Sequence, residues 1–498
     1  MTSRGRKGLL LALSAAACAA GLTVPVQAAA ASGRDVGALK WRPCAGEGSP
    51  AGAECATLPV PLDYRKPSGP TVDIAVSRLR TDRPQARRGS LLLIPGGPGG
   101  SGVQDLAQQG EKVRKATKGA YDIVALDPRG TGGSTSADCE VSEEDRQMVA
   151  FRAWPAPDGD ISEGAARARR IADACARNGG PVLRSMSTRN EARDIDSFRK
   201  ALGEKKLSAV GVSYGTYVGA VYAQMFPERT DRWVLDSSAD PDPTRVAHGW
   251  LNNMSGGADD AFPDFARWAA DPARGEDRVA ERAADVRPEF LALAAELDRK
   301  PRTFKDTGHP LTGNTLRQVL QMSLYGKERY PAVVRLIQAV RSSADGPVTA
   351  PDPFPEPLSQ RDAAVFAGVV CNDVAWPRDV ASYQRDVTAD RTRHPLTGGM
   401  PATITPCAFW KDSPAEKATR ITDRGPSNIL MVQNLRDPST PYSGALKMRQ
   451  ALGDRARLVS VDAAGHGVWL DTGNACSDRA VSEFLVTGKR PAGDVLCK

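Results

Sequence analysis

The sequence predicts an α/β fold with a mostly parallel sheet, helices on both faces of that sheet, and a large, mainly helical cap inserted after the sixth strand. Between residues 89 and 238, short aliphatic runs alternate with helical patterns, as in a parallel sheet covered by helices. Roughly 190 residues after Asp236 then alternate helical segments with proline-rich loops, before strand-like runs return. The first region predicts the sheet, and the second predicts the cap.

The predicted strands are short and aliphatic, and each ends in a turn rich in glycine, proline or aspartate. They lie at residues 91–94, 123–126, 207–212, 233–235, 429–432 and 458–461. The helix before the third strand has a capping box of Thr188 and Glu191 at its start and Gly203 at its end. Because ligands bind at the carboxyl ends of the strands in open α/β sheets, catalytic residues are expected in these turns.

The chain divides into an export signal, two core segments and the cap. Residues 1–28 combine a basic start, an apolar run and a small-residue cleavage site, which is typical of a secretory signal, and Cys18 leaves lipid attachment open as an alternative. We predict the first part of the core at 29–238, the cap at 239–425 and the second part of the core at 426–498. The mature protein is expected outside the cell, as a monomer.

Eight cysteines remain once Cys18 is set aside. An exported chain meets an oxidising environment, and the sequence has no Cys-x-x-Cys pair, so disulfides are favoured over metal ligation. Eight cysteines allow 105 pairings. We expect neighbours in the sequence to pair: Cys44 with Cys55, Cys139 with Cys175, Cys371 with Cys407, and Cys476 with Cys497.

The charge of the chain is weak and mixed in sign. The formal net charge is +7, and 25% of the residues are charged, close to the globular average. Basic and acidic residues are interspersed, which favours a solvated surface over a nucleic-acid interface. No apolar stretch after the signal is long enough to span a membrane. We therefore expect neither a nucleic-acid partner nor a membrane span.

The stretch Gly211-Val212-Ser213-Tyr214-Gly215 carries the strongest chemical signal in the sequence. In a Gly-x-Ser-x-Gly motif the serine sits on a strained turn between a strand and a helix, where glycines let the turn close and leave the hydroxyl exposed. An aliphatic strand precedes Ser213 and a run of small residues follows it, as the motif requires. Ser213 is therefore the predicted nucleophile.

A serine hydroxyl needs a base to take its proton, and an anion must orient that base. His466 is the predicted base, because it alone of the four histidines follows a strand and has a glycine on each side. Asp437, after the preceding strand, is the predicted acid and gives the chain order Ser, Asp, His. Asp236 and Asp462 are its competitors.

Two backbone N–H groups must bind the negative charge that develops on the substrate oxygen. The N–H of Tyr214, next to the nucleophile, is one predicted donor. The glycine-rich run 95–102 after the first predicted strand supplies the other, which we assign to Gly97. A phosphate-binding function for this run is disfavoured, because it has neither the Lys-Ser/Thr ending nor the dinucleotide glycine spacing.

Several motifs together resemble the proline iminopeptidase family of α/β-hydrolases, and more closely its secreted actinomycete branch, the tripeptidyl aminopeptidases. The motifs lie at residues 60–64, 96–102, 127–132, 211–216 and 437–441, with weaker likeness in the cap at 367–377. Proline iminopeptidases usually have histidine before Gly-Gly-Pro-Gly, but this chain has Pro95, as its secreted relatives tend to. The resemblance therefore implies release of short peptides rather than of single prolines.

The resemblance further implies a serine exopeptidase that removes short peptides, often tripeptides, from free peptide or protein N-termini, without a metal or organic cofactor. Such an enzyme must recognise the substrate ammonium, which calls for a carboxylate in the cap, and Asp373 is the candidate. Two other functions stay open. One is an extracellular esterase or lipase with the same triad, since the fold does not set the substrate. The other is a binding protein that kept the scaffold and lost catalysis.

Overall fold

The computed structural model describes residues 39–498 except 45–49, 148–152, 243–247 and 352–356, and within these residues it has a ten-stranded sheet. The strands of this sheet are Arg42–Pro43 (β1), Ala53–Pro61 (β2), Thr71–Leu79 (β3), Gly89–Ile94 (β4), Tyr121–Leu126 (β5), Leu207–Val212 (β6), Thr230–Asp236 (β7), Ile429–Arg436 (β10), Ala456–Ala464 (β11) and Val495–Cys497 (β12). A separate hairpin pairs Arg302–Thr303 (β8) with Pro310–Leu311 (β9).

The strand order in the large sheet is β1-β2-β3-β5-β4-β6-β7-β10-β11-β12. All pairs from β5 to β12 are parallel, and the pairs from β1 to β5 at the other end are antiparallel. The six predicted strands are therefore confirmed as β4, β5, β6, β7, β10 and β11. Because these strands are parallel, the turns that follow β6, β7, β10 and β11 meet at one edge of the sheet.

Helices cover the sheet and make up most of the segment between β7 and β10. They are Gly102–Ala116 (α1), Glu143–Arg146 (α2), Ser162–Asn178 (α3), Gly180–Ser185 (α4), Thr188–Ala201 (α5), Tyr214–Met225 (α6), His248–Ala269 (α7), Ala283–Arg299 (α8), Gly313–Ser323 (α9), Tyr330–Ser342 (α10), Gln360–Asp373 (α11), Val380–Arg393 (α12), Tyr442–Leu452 (α13) and Ala475–Thr487 (α14).

Alternate side chains of β4 point to opposite faces of the sheet, and each face has its own apolar core. Leu92 and Ile94 belong to the core on the side of α5 and α6. Leu91 and Leu93 belong to the core on the side of α1 and α14. With both faces covered, the predicted sheet with helices on both sides is confirmed, and β4 is fully buried, as its unbroken apolar run indicates.

The helices α7 to α10 pack around a third apolar core of their own, which includes Phe265, Phe290 and Leu320. The segment that contains them follows β7, which is the sixth strand once the two-residue β1 is set aside. This agrees with the predicted helical insertion, although the short hairpin of β8 and β9 is an addition that its sequence did not indicate. The boundaries of core and cap stay a prediction.

All four predicted disulfides are present: Cys44–Cys55, Cys139–Cys175, Cys371–Cys407 and Cys476–Cys497. Each joins residues that are close in the chain. The predicted signal at 1–28 and Cys18 lie outside the described residues. Within the part of the chain that is described, no helix has both the length and the apolar character needed to cross a bilayer.

The predicted capping box at the start of α5 is wrong by one residue. The N-cap is Ser187, whose hydroxyl accepts a hydrogen bond from the N–H of Asn190. Thr188 instead gives both its N–H and its hydroxyl to the carboxylate of Asp373, on α11. A contact between residues 185 positions apart overrides the local pattern, which a scan of neighbouring residues does not reveal.

Candidate active site

Ser213 lies on the turn between β6 and α6, with φ of 59° and ψ of −125°. This left-handed conformation is costly for a residue with a side chain, and it is typical of a nucleophile turn. The two glycines of the motif make the turn possible. A Cβ on Gly211 would lie 2.4 Å from the carbonyl oxygen of Gly215, and a Cβ on Gly215 would lie 2.4 Å from that of Ile94.

His466 and Asp437 form a close pair at the ends of the adjacent strands β11 and β10. The Nδ1 of His466 lies 2.9 and 3.0 Å from the two carboxylate oxygens of Asp437. The same carboxylate accepts hydrogen bonds from the N–H groups of Ser439 and Thr440, both at 2.8 Å. These donors hold the carboxylate in place. The pairing favours the tautomer with the proton on Nδ1, which leaves Nε2 as the basic nitrogen.

The surroundings of His466 raise its pKa above the usual value for histidine. Burial acts in the opposite direction, because it disfavours the charged imidazolium. The charge and hydrogen bond of Asp437, with smaller contributions from Asp236 and Asp471, outweigh burial. The base therefore lies in a field that stabilises its protonated form, as a general base in acyl transfer requires.

Asp236 links the turn of Ser213 to the loop of His466. Its carbonyl oxygen accepts the N–H of Ser213 at 3.0 Å, and its carboxylate accepts the N–H of Trp469 at 2.8 Å. The next residue, Ser237, accepts the N–H of Gly467 on its hydroxyl at 3.0 Å. These bonds bring the nucleophile turn and the histidine loop together at one edge of the sheet.

The two competitors of Asp437 have other partners. Burial raises the pKa of the Asp236 carboxyl to about 7, although its hydrogen bonds from main-chain N–H groups oppose the shift. Asp462 is exposed and forms an ion pair with Arg436 at 2.6 Å. Of the three acids, Asp437 is the one that hydrogen-bonds the imidazole of His466. The catalytic roles of the triad stay predictions.

The glycine-rich loop between β4 and α1 lies directly against Ser213. A Cβ on Gly96 would be 3.1 Å from the Cβ of Ser213, and one on Gly97 would be 2.6 Å from the nitrogen of Gly99. Gly97 also has φ of +117°, so both this backbone conformation and the close contact with Gly99 exclude a side chain at this position. Tyr214 is the first residue of α6, where the helix dipole favours negative charge. The structure thus places Gly96 of this loop against Ser213, and the roles of Gly97 and Tyr214 as oxyanion donors stay predictions.

Tyr325, which the sequence argument missed, contacts the histidine and links it to the loop of the acid. Its carbonyl oxygen accepts the N–H of His466 at 2.9 Å, and its ring packs edge-on against the imidazole with centroids 5.1 Å apart. Its hydroxyl and that of Ser439 are 2.8 Å apart. No sequence motif marks Tyr325, because it follows α9, far from the triad in the chain. Its position shows that the helical segment helps to hold His466 in place.

Asp373, the predicted site for the substrate ammonium, is 9% exposed and lies at the wall of a cavity of about 270 Å³. Neither Ser213 nor His466 is among the residues that line this cavity. Asp373 binds Thr188, whose hydroxyl is 2.8 Å from the Tyr214 hydroxyl. A chain of hydrogen bonds therefore connects Asp373 to the residue after the nucleophile.

Glu191 extends this chain of hydrogen bonds and is buried. Its Oε2 lies 3.3 Å from the Tyr214 hydroxyl, and its Oε1 has no hydrogen-bond partner among the described residues. Burial raises the pKa of Glu191 to about 8, and the negative charges of Asp194 and Asp373 act in the same direction. A protonated Glu191 can donate to Tyr214, whose own O–H then points to Thr188. The protonated form of Glu191 therefore fits this series of hydrogen bonds better than the ionised form does.

Glu191→Gln is expected to raise the thermal midpoint at pH 8 by about 2 °C and to leave it nearly unchanged at pH 5. Because the folded-state pKa lies above the unfolded value, the stability that the neutral acid contributes is present at low pH and is lost as the pH rises towards 8. Glutamine imitates the protonated form at every pH. Calorimetry at both pH values checks this, with the exposed Glu143→Gln as the control. An equal shift at both pH values would contradict it.

The chain is similar to known proteins over most of its length. A family model described as TAP-like protein matches residues 395–497. The tripeptidyl aminopeptidase of Streptomyces lividans is 33% identical over 479 residues, which are 92% of this chain and 86% of that protein. The serine protease Hip1 of Mycobacterium tuberculosis is 27% identical over 488 residues, 92% of this chain and 91% of that protein.

A third relative, from Mycobacterium tuberculosis, is named carboxylesterase B. It is 29% identical over 465 residues, which are 89% of this chain and 86% of that protein. The similarity to all three relatives extends over both core segments and the helical insertion between them. The comparison therefore concerns the whole chain rather than one motif.

Proposed function

Because the chain belongs to the tripeptidyl aminopeptidase family, and is thus a serine hydrolase of the peptidase type, we propose that it is a secreted exopeptidase that releases short peptides, tripeptides foremost, from free N-termini. The observation that supports the proposal is that Ser213 lies on a turn at the same edge of the sheet as the hydrogen-bonded pair His466–Asp437, and that Asp236 bonds both to the Ser213 turn and to the loop after His466. The proposed triad explains the hydrolysis. The similarity to the tripeptidyl aminopeptidase supports the proposed class of substrate.

The proposed reaction is acyl transfer through a covalent intermediate. The Oγ of Ser213 attacks the scissile carbonyl carbon while Nε2 of His466 takes its proton, and Asp437 stabilises the imidazolium. The N–H groups of Gly97 and Tyr214 bind the oxyanion. His466 then gives the proton to the leaving amine, the C–N bond breaks, and the N-terminal fragment stays on Ser213 as an ester. A water molecule, activated by the same histidine, releases that fragment.

Asp373 is the proposed partner of the substrate ammonium. Burial raises the pKa of its carboxyl to about 6, so most of it is ionised at pH 7 and can pair with a cation. Its connection through Thr188 to Tyr214 relates the amine site to the nucleophile turn. Asp373 also accepts the first N–H of α5, so it has a structural role as well. The test must separate these two roles.

Asp373→Asn is expected to raise KM for peptides with a free N-terminus about tenfold or more, because an amide cannot offer a charge-assisted bond to the ammonium. Peptides with an acetylated N-terminus should be affected little. Asparagine can still accept the N–H of Thr188, which limits the structural damage. Steady-state kinetics on the paired substrates check this. An equal change in KM for both substrates would assign Asp373 to the support of α5 alone.

Secretion is supported by two independent features. The first 28 residues have the pattern of an export signal, and four disulfides need an oxidising compartment to form and persist. Expression of the full chain in a host that exports proteins, followed by N-terminal sequencing of the protein in the medium, tests this part of the proposal. Cleavage after Ala28 is expected, and retention of the full chain inside the cell would overturn it.

The substrate class is tested with three compounds: a tripeptide anilide with a free N-terminus, its acetylated form, and a simple ester. The proposed function predicts the highest kcat/KM for the free tripeptide. The relative named carboxylesterase B favours an esterase as the second candidate function. Turnover of the ester alone would establish that alternative and defeat the peptidase. Mass spectrometry of cut peptides then gives the length of the released fragment.

A further inference from the structure

The helix α7 joins the sheet to the helical segment that follows β7. Its first turns carry Leu251 and Met254, which belong to the apolar core on the side of α5 and α6. Its later turns carry Phe262 and Phe265, which belong to the core of the helical segment. The helix therefore has one part in each core, and Gly257 lies between the two parts.

Gly257 lies directly against the main chain of the predicted acid. A Cβ at this position would be 2.7 Å from the carbonyl oxygen of Asp437 and 3.1 Å from the carbonyl carbon of Pro438. Only a residue without a Cβ allows this approach. Next to Asp437, Arg436 donates a hydrogen bond to Asp264, also on α7, at 2.6 Å. The helix thus holds the loop of the acid at two points.

The segment after α9 holds the predicted base in a similar way. The carbonyl oxygen of Tyr325 accepts the N–H of His466 at 2.9 Å. A Cβ on Gly465 would lie 3.0 Å from the same oxygen, so the glycine before the histidine leaves room for this contact. The Tyr325 hydroxyl lies 2.8 Å from that of Ser439, in the loop of the acid. Tyr325 therefore contacts the loops of both residues.

We propose that the helical segment is a fixed part of the catalytic site, in which Gly257 and Tyr325 are positioning residues that keep Asp437 and His466 in register; this rests on the triad of the proposed function. The hydrogen bond between His466 and Asp437 joins two separate loops, so a shift of either loop changes its length. A displacement of about 1 Å at a catalytic group can lower a rate about 100-fold. The substrate accordingly reaches Ser213 while α7 and the segment after α9 stay in place.

The test compares Gly257→Ala with Gly256→Ala, the same change at adjacent positions of α7. A Cβ on Gly256 would have no atom within 4 Å, so this variant reports the effect of alanine on the helix alone. It should keep kcat for the tripeptide anilide within about twofold and raise the thermal midpoint, because alanine favours a helix. Gly257→Ala should lower kcat about 10- to 100-fold with little change in KM, because its methyl group displaces the loop of the acid.

The pH profile separates positioning from a general loss of stability. Burial lowers the pKa of His466, and Asp437 raises it. If Gly257→Ala displaces Asp437, this pKa falls, and the acid limb of fluorophosphonate labelling at Ser213 should move to lower pH. The variants leave every charged side chain around the imidazole unchanged: the carboxylates of Asp437, Asp236 and Asp471, and, on the segment after α9, Glu328 and Arg329, which pair with each other at 3.5 Å.

Tyr325→Phe tests the second contact independently of Gly257. It removes one hydroxyl and keeps the ring and the carbonyl that binds His466. We expect kcat to fall about three- to tenfold, and Ser439→Ala, which removes the other end of the bond, should act similarly. The double variant should be no slower than either single variant, because both remove one interaction. Tyr330→Phe, the same change in the core of the helical segment, is the control and should keep kcat within about twofold.

The outcomes separate the positioning residues from the function on which they rest. A wild-type kcat and acid limb in Gly257→Ala, or equal losses in Gly256→Ala, would overturn the role of Gly257. Additive losses in the double variant of Tyr325 and Ser439 would overturn the role of Tyr325, and this cycle decides if Gly257→Ala does not fold. If the wild type is labelled by the fluorophosphonate but does not cleave free peptides, the proposed peptidase fails, and the labelling rates of the variants still test positioning.

Discussion

Ser213→Ala is expected to lower kcat for the tripeptide anilide by about 10⁴- to 10⁶-fold, the largest effect of any single change in the chain. Alanine removes the only atom that forms a covalent bond with the substrate. The change leaves the predicted oxyanion donors and the proposed binding residues in place, so KM should change little. Labelling by a fluorophosphonate should disappear completely.

The same variant decides between an enzyme and a binding protein. Alanine fits the turn at 213 no worse than serine in φ and ψ, so the thermal midpoint should change by about 2 °C or less, which serves as the check that the fold is intact. A wild type that resists the fluorophosphonate would favour the binding protein. Full activity in Ser213→Ala would remove Ser213 from the mechanism and with it the proposed reaction.

The residues of the candidate site that sequence alone could predict are those with local signals. Ser213 has a motif of five residues, and His466 and Asp437 each follow a buried strand. Local patterns suffice here because an exposed nucleophile turn needs glycine at fixed positions, and parallel strands place their following turns at one edge. The central strands were predictable for the same reason, since buried parallel strands are unbroken apolar runs.

Contacts between distant parts of the chain could not be predicted. Tyr325 touches His466 across 141 positions of sequence, and Thr188 binds Asp373 across 185. Nothing in the residues next to them marks these pairs, because the packing of α9 and α11 on the core decides them. The antiparallel strands β2 and β3 were missed for another reason. They alternate buried and exposed residues at the far end of the sheet, outside the run of apolar strands.

The hydrogen bonds of Asp236 differ from those of Asp437, with which it competes for the role of the catalytic acid. In the sequence analysis Asp437 is the predicted acid and Asp236 its competitor, since both lie at the end of a strand of the same sheet. In the structure, Asp437 binds the imidazole, while Asp236 binds main-chain N–H groups beyond it and the N–H of Ser213 through its carbonyl. Asp236 is therefore expected to hold the Ser213 turn and the His466 loop together rather than to hydrogen-bond the imidazole of His466.

Asp437→Asn is expected to lower kcat about 10⁴-fold. The N–H₂ of asparagine donates to Nδ1 of His466 and forces the proton onto Nε2, the nitrogen that must accept the proton of Ser213. The carbonyl of asparagine still accepts the N–H of Thr440, so the loop should keep its shape. The matched change Asp236→Asn should lower kcat about tenfold or less and should lower the thermal midpoint instead, because an N–H₂ then faces main-chain N–H groups.

The pH profile of Asp437→Asn gives a second, independent result. In the wild type the raised pKa of His466 shifts the acid limb of kcat/KM to higher pH than an ordinary histidine would give, since the histidine must be neutral to accept a proton. Asp437 is the main cause that raises this pKa, so its neutralisation should move the limb to lower pH, while the residual rate stays small. Asp236→Asn removes a weaker and more distant charge and should move the limb less. If Asp236→Asn gave the larger loss of kcat and the larger shift, the acid of the triad would be Asp236, and the hydrogen bond between His466 and Asp437 would be structural.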